Sequence, residues 1–467
     1  MAVIETAGRM FPRGLRTIVA PALKKIAAVL TERSDKAASQ RMALVVFAIR
    51  IFSAALAFLS QIVLARIMGD FEYGIFVFVW VLIVLFGDLS CLGFHTAIIR
   101  FLPQYRASGA FEEIRGLTGT ARIFALLSGS SVLVVGMVGL HFFGHLIDSY
   151  YLVPIFLGLL ALPMIALGDI LEGTSRANHW PIMALSPVYI VRPILIILYM
   201  LAAILLGAPH TATTAMQAAL AATLTTALGQ HIAVTFRLRR HYSTGAQKTD
   251  FLGWLGVAFP IFLIEGVSFL LTNSDVVVVG IFLDPQHVAI YFAAAKTMAL
   301  VHFVNFSVKA ASGPRFSGII AENDRAKLAA SALDAARWTF WPALAVGLAV
   351  LAAGELLLSL FGAAFTAGYV LMAILLAGIL AKALVGPAET LLMMAGKQNV
   401  CVLLYAGALT ANVALNITLI PYFGIEGAAI ATATAMAVEA VLLHVAVRRI
   451  LGFTLFALAR TPARPST

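Results

Sequence analysis

From Met42 to Ala65 the chain holds a single charge, Arg50, in a run that is otherwise apolar or small apart from Ser53, Ser60 and Gln61. Eleven similar runs follow, near 74–98, 118–140, 152–173, 181–206, 214–236, 252–274, 287–310, 338–360, 368–391, 399–420 and 425–447. About 20 apolar residues, rising 1.5 Å each in a helix, match the roughly 30 Å hydrocarbon core of a bilayer. Lipid offers no partner to a backbone N–H or C=O, so only helices and closed barrels cross it. The short alternating segments of a barrel are absent. The chain is 61% hydrophobic and 12% charged, with a mean hydropathy of +0.97. Soluble domains are about half apolar and a quarter charged. The spacing therefore predicts an all-α polytopic membrane protein with about twelve transmembrane helices.

The charges sort along these runs. Of the 32 Lys and Arg, 27 fall in the two termini and the even-numbered loops, and one, Arg66, falls on the other side. By the positive-inside rule the rich side is cytoplasmic, and an even helix count puts both termini there. The net charge of +10 has this cause, so nucleic acid is not an expected partner. The loops on the poor side are short, so no domain outside the membrane could house soluble-enzyme chemistry, and the chain is not read as an enzyme. Cys91 and Cys401 both lie in apolar runs. Two cysteines supply neither a disulfide framework nor a zinc site, and they read as packing residues.

Residues 1–41 are different. Phe11, Leu15, Ile18, Val19, Ala22, Leu23, Ile26 and Leu30 recur at helical spacing, with Arg13, Arg16, Lys24 and Lys25 mostly elsewhere. Such an arm either lies on an anionic membrane surface or serves only to set orientation. Beyond it, a shift of 215 residues places Arg50 on Glu265, Ser53 on Ser268, Ile75-Phe76 on Ile290-Tyr291, and Arg100-Phe101 on Arg315-Phe316. Segment 1 maps onto 7 and 2 onto 8 with the same direction. The expected architecture is a cytoplasmic arm 1–41, a first lobe 42–240, a linker 241–251, a second lobe 252–450 and a cytoplasmic tail 451–467. Each lobe has six helices, and the two enclose a central cavity.

The stretch "LARIMGDFEYGIFVFVWVLIVLFGDLSCLGFHTAIIRFLPQY" carries Leu64, Ala65, Arg66, Gly69, Asp70, Glu72, Tyr73, Gly74, Asp88, Gly93, Arg100, Phe101 and Pro103. It resembles the opening hairpin of polysaccharide-export proteins. These are O-antigen and exopolysaccharide flippases of the multidrug/oligosaccharidyl-lipid/polysaccharide (MOP) superfamily. "NSDVVVVGIFLDPQHVAIYFAAAK", "GPRFSGIIAENDRAKL" and "LNITLIPYFGIEGAAIATA" extend the likeness over roughly 42–450. It implies a MOP/MATE-like fold in the bacterial inner membrane. It also implies transport of undecaprenyl-pyrophosphate-linked oligosaccharide for O-antigen, capsule or exopolysaccharide, by a monomer working beside a polysaccharide polymerase and chain-length-control proteins. The rival reading is an ion-coupled multidrug antiporter of the same superfamily. The 2–3 loop "QYRASGAFEEIRG" lacks the Gly-x-x-x-Asp-Arg signature of major-facilitator transporters, and peptidoglycan-precursor flippases carry fourteen helices. No phosphate-binding GxxxxGK[ST] loop occurs, so ATP is not the direct energy source.

Charges within the apolar runs mark function, because a charge at mid-bilayer costs about 2.5–3.5 kcal/mol on insertion scales. Arg50, Arg192, Lys296 and Lys382 are the candidate cations for a pyrophosphate headgroup. Arg grips phosphate bidentately. Glu265 and Asp88 are the candidates for proton or sodium coupling or for gating; no other cofactor and no metal is expected. Ser53 and Gln61 on segment 1, Ser268, Thr272 and Asp275 on segment 7, and His302 on segment 8 read as the polar lining. Arg50 could hold a phosphate, pair with Glu265 across the lobes, or alternate between them.

Overall fold

The computed structural model describes residues 35–242 and 245–459, so residues 1–34 of the basic arm and the end of the tail lie outside the described residues. Sixteen α-helices follow one another: α1 Asp35–Ser90, α2 Phe94–Ala107, α3 Phe111–Phe143, α4 Ser149–Leu159, α5 Leu162–Ala177, α6 Pro181–Ser186, α7 Arg192–Leu205, α8 Ala212–His241, α9 Phe251–Phe282, α10 Pro285–Met298, α11 His302–Ala321, α12 Arg325–Ala352, α13 Gly354–Ser359, α14 Tyr369–Ala383, α15 Ala388–Met394 and α16 Gln398–Leu451. No strand occurs among the described residues. Among the described residues, nine helical stretches are long and apolar enough to cross a membrane, or ten when α4 and α5, bent by 44°, count as one span.

Two of those stretches are hairpins. In α1, Gly69 leaves the helical region (φ 79°, ψ 175°). Twelve residues of straight helix would separate Gln61 from Tyr73 by about 18 Å. Instead the Tyr73 hydroxyl donates to Gln61 Oε1 at 2.8 Å, so the chain folds back on itself. In α16, Gly424 does the same (φ 59°, ψ −136°). Asn412 and Thr432, twenty residues apart, meet side chain to side chain at 3.5 Å. The twelve runs expected from hydropathy thus meet nine or ten candidate stretches among the described residues, two of which fold back at these glycines.

The residues around Gly69 show why the chain turns there. Asp70 Oδ1 accepts from the Phe71 N–H, and Glu72 Oε2 accepts from the Ala212 N–H at 2.7 Å, capping α8. A Cβ on Gly74 would stand 1.8 Å from the Pro285 carbonyl oxygen, so α1 and α10 meet backbone to backbone. Tyr73 packs edge-on against Phe292 and Phe365 of the second lobe, at 6.4 and 6.0 Å. Arg66 reaches the carbonyls of Ser359 and Leu360. At the opposite end the lobes meet again. Gly93, with φ 75°, lies against the Ala258 carbonyl, and Trp254 Nε1 donates to Tyr105 Oη at 2.9 Å. The central space lies between these two seals. Cys91 and Cys401 are buried free thiols, as packing residues should be.

Two measurements follow. Topology reporters fused after Gly69 and Gly424 are expected outside, and those after Ser108 and Gln247 inside. A cytoplasmic reporter at Gly69 would reduce the first hairpin to a re-entrant element. Gly74→Val must push α1 off Pro285 and is expected to cost about 1–3 kcal/mol by overpacking. An unchanged melting midpoint in detergent would refute that contact.

Candidate functional site

A cavity of about 710 Å³ lies between the lobes. From the first lobe Arg50, Ser53, Ala57, Gln61, Trp80 and Tyr189 line it; from the second, Phe269, Asn273, Phe292, Lys296, His302 and Phe306. No carboxylate is among the described lining residues. α1 presents this face through helical phase: residues 50, 53, 57 and 61 recur every three or four positions, while Ile51, Phe52 and Leu59 are exposed on the other side. Arg50 sits 4.6 Å from the centroid of the Tyr189 ring, and Lys296 Nζ lies 4.8 Å from that of Phe292. Neither cation has an ion-pair partner among the described residues.

Tyr189 is held by a local irregularity. Residues Pro187–Val191 form a π-turn between α6 and α7, closed by the Arg192 N–H donating to the Pro187 carbonyl. Pro187 and Pro193 cause it, since neither supplies the N–H that an α-helix needs. The Met183 carbonyl, which would have accepted from residue 187, accepts from Gln230 Nε2 at 3.0 Å instead. Single π-turns recur at functional sites. This one puts Tyr189 beneath Arg50 and Arg192 three residues on.

A second cavity, of about 390 Å³, shares Val84, Tyr189 and Phe269 with the first. Its character is opposite: Asp88, Asp169, Glu172 and Glu265 line it, with His95, Arg176 and Arg192. Glu265 is held by the Thr96 hydroxyl at 2.7 Å and by His95 Nε2 at 3.2 Å. Glu172 pairs with Arg176 at 3.8 Å. Arg192 stands 5.4 Å from the Trp80 ring centroid, in the partition between the cavities.

The structure thus separates residues that the sequence grouped. Arg50, Lys296, Ser53, Gln61 and His302 come together in the basic cavity. Arg192, Asp88 and Glu265 line the acidic one instead. Arg50 and Glu265 are not partners, because Glu265 points to α2. Lys382 lines neither cavity; its ammonium pairs with buried Glu439 at 2.7 Å. The stripe expected on segment 7 is displaced by one position. Phe269 and Asn273 face the basic cavity, while Thr272 is exposed and donates to its own helix at the Ser268 carbonyl. Asp275 is buried further along, accepting from the Tyr291 hydroxyl at 2.7 Å. Tyr189, Asp169, Glu172 and His95 were missed. For Asp169 and Glu172 a signal existed, two carboxylates at i and i+3 in an apolar run.

Residues 40–320, more than half of the 467-residue chain, match the family described as polysaccharide biosynthesis protein. The chain belongs to that family. Its fold is shared with an inward-facing multidrug resistance MATE family transporter of the MOP superfamily (TM-score 0.69, 15% identity, 86% of this chain and 94% of that one). It is shared equally with the lipid II flippase MurJ in an inward closed conformation (0.68, 15%, 87% of each chain). A third neighbour is a MOP superfamily transporter from Pyrococcus furiosus, described by a reverse polarity of its binding pocket that suggests a different function (0.61, 16%, 91% of this chain and 97% of that one). No curated relative matches the sequence. The protein is a multi-pass membrane protein with a MOP transporter fold.

The Lys382–Glu439 pair separates a structural from a transport role. Lys382→Met leaves the Glu439 charge buried without its partner and is expected to destabilise by about 3–5 kcal/mol. Lys382→Met with Glu439→Met should recover most of that loss. Thermal unfolding in detergent reads both, and a stable, inactive single variant would return Lys382 to the transport machinery.

Proposed function

We propose that the protein flips undecaprenyl-pyrophosphate-linked oligosaccharide repeat units across the bacterial inner membrane by alternating access, for O-antigen, capsule or exopolysaccharide synthesis. The observation that carries this reading is the basic cavity, with Arg50 and Lys296 on opposite lobes and no carboxylate among its described lining residues. A pyrophosphate brings the negative charge that such a space lacks, and a guanidinium can engage two of its oxygens at once. The rings of Trp80, Tyr189 and Phe269 offer flat apolar faces to the C–H faces of sugars. The polyprenyl tail stays in the bilayer beside the lobes. Alternation requires the seal on the Arg66 side, made by its bonds to Ser359 and Leu360, to break as the seal near Gly93 changes.

The acidic cavity favours a second reading. Asp88, Asp169, Glu172 and Glu265 could exchange a proton or sodium ion to drive flipping, or could receive a small cationic drug in an antiporter. The two readings place the cargo in cavities of opposite sign, and that difference makes them separable.

Reconstituted protein should move undecaprenyl-pyrophosphate oligosaccharide between leaflets of proteoliposomes. Arg50→Ala and Lys296→Ala are each expected to slow this at least about tenfold, since a lost hydrogen bond to a charged group costs about 1.5–3 kcal/mol. Arg50→Lys should retain more activity than Arg50→Ala. Cation efflux that survives Arg50→Ala and disappears in Asp169→Asn, with no lipid movement in the wild type, would establish the antiporter in its place.

A further inference from the structure

A third hollow, of about 280 Å³, lies away from both central cavities, at the Arg-rich end of the first lobe between α3 and α8. Arg115 and Arg122 of α3 and Thr235 and Arg239 of α8 line it, with Tyr242 and Gln247 from the chain that follows. Arg115 and Arg122 are seven residues apart, two helical turns, so they share a face about 10 Å apart along α3. Arg239 is exposed at the rim, and Arg122 forms the floor.

Arg122 is incompletely satisfied. Its Nη1 donates to Thr235 Oγ1 at 2.8 Å, while Nε and Nη2 are buried with no partner among the described residues. A guanidinium keeps its charge and offers only donors, so what is missing is an acceptor. No carboxylate is among the described lining residues. Glu113, one turn from the rim, is bound to Lys248 at 3.0 Å. Arg115 Nε is already held by the Ala246 carbonyl at 2.8 Å, so the open donors are the two of Arg122, with Arg239 at the rim. A buried guanidinium with two unpartnered donors and no acid in the described lining suits a tetrahedral oxyanion.

The surroundings point to where that anion comes from. Ile123 and Leu127 on α3 and Leu228, Ile232 and Phe236 on α8 are all at least half exposed along the surface that leads away from the hollow. In a membrane that surface is covered by acyl chains. Basic pockets between transmembrane helices on the cytoplasmic side are suited to anionic headgroups. We propose that this hollow binds a phosphoryl anion, presented by the headgroup of an anionic phospholipid whose chains lie against α3 and α8. Such a lipid would tether the first lobe to its leaflet at a point remote from both central cavities.

Native mass spectrometry of the full chain, titrated separately with phosphatidylglycerol and phosphatidylcholine, tests this. The wild type is expected to retain phosphatidylglycerol about tenfold more strongly than phosphatidylcholine. Arg122→Gln should abolish the preference and Arg239→Gln should weaken it several-fold, in monodisperse protein with unchanged lipid-flipping. If Arg122→Gln does not fold, Arg239→Gln and Arg122→Lys carry the test, since both keep more of the local packing. Equilibrium dialysis with inorganic phosphate separates the sources. Phosphate binding that depends on Arg122, without any lipid preference, keeps the phosphoryl site and assigns it to a free anion. Equal retention of both lipids with no phosphate bound, or folded Arg122 and Arg239 variants that bind as the wild type does, would overturn the proposal.

Discussion

Placing an Arg or Lys at the centre of a bilayer costs about 2.5–3.5 kcal/mol on insertion scales, and this chain has four such residues in its apolar runs. Each is accommodated differently. Arg50 lies beside an aromatic ring and a cavity. Lys296 faces the same cavity from the other lobe. Arg192 stands in the partition next to a cluster of carboxylates, and Lys382 closes a buried ion pair. The helices pack so that none of the four need face lipid, and the two central cavities result from that arrangement. An ion pair neutralises its charges in place, as at Lys382 and Glu439. A cation left without a carboxylate, as at Arg50 and Lys296, keeps its attraction for an anion that arrives from outside.

The glycine-rich hairpin that carried the family resemblance turns out to hold the fold rather than the cargo. Gly69 permits the reversal, Asp70 and Glu72 accept backbone N–H groups, Tyr73 ties the two arms, and Gly74 lets α1 touch Pro285. Of the quoted positions, Asp88 and Gly93 line a central cavity. Such a motif identifies the architecture because its residues make the turn and the contacts between helices. It says little of what is carried.

This division explains what could be read in advance. Apolar length is a property of one segment at a time, so the all-α membrane-spanning fold was legible. The phase of segment 1 was legible too, since Arg50, Ser53, Ala57 and Gln61 mark one face against bulky lipid-facing neighbours. On segment 7 the same logic slipped by one position. Thr272 satisfies its hydroxyl on its own helix and needs no cavity, so its polarity carried no directional information. Glu265 matched Arg50 in the internal repeat, but register between lobes does not fix which helix lies alongside. Thr96 and His95 of α2 do that. The π-turn at Tyr189 depends on two prolines whose effect on side-chain direction emerges only when the helix is built.

Likeness of fold leaves the cargo open. The MATE transporter and the lipid II flippase match this chain at TM-scores of 0.69 and 0.68 with the same 15% identity, so nothing in the backbone prefers one to the other. Function on a shared fold lives in the site placed on the scaffold. Here the larger cavity is basic and the smaller acidic, and they share Tyr189 and Phe269 as a common wall. The two spaces therefore present fields of opposite sign on the two sides of that wall. Opposite charges held in one space would neutralise each other, and the wall lets each cavity keep its own sign.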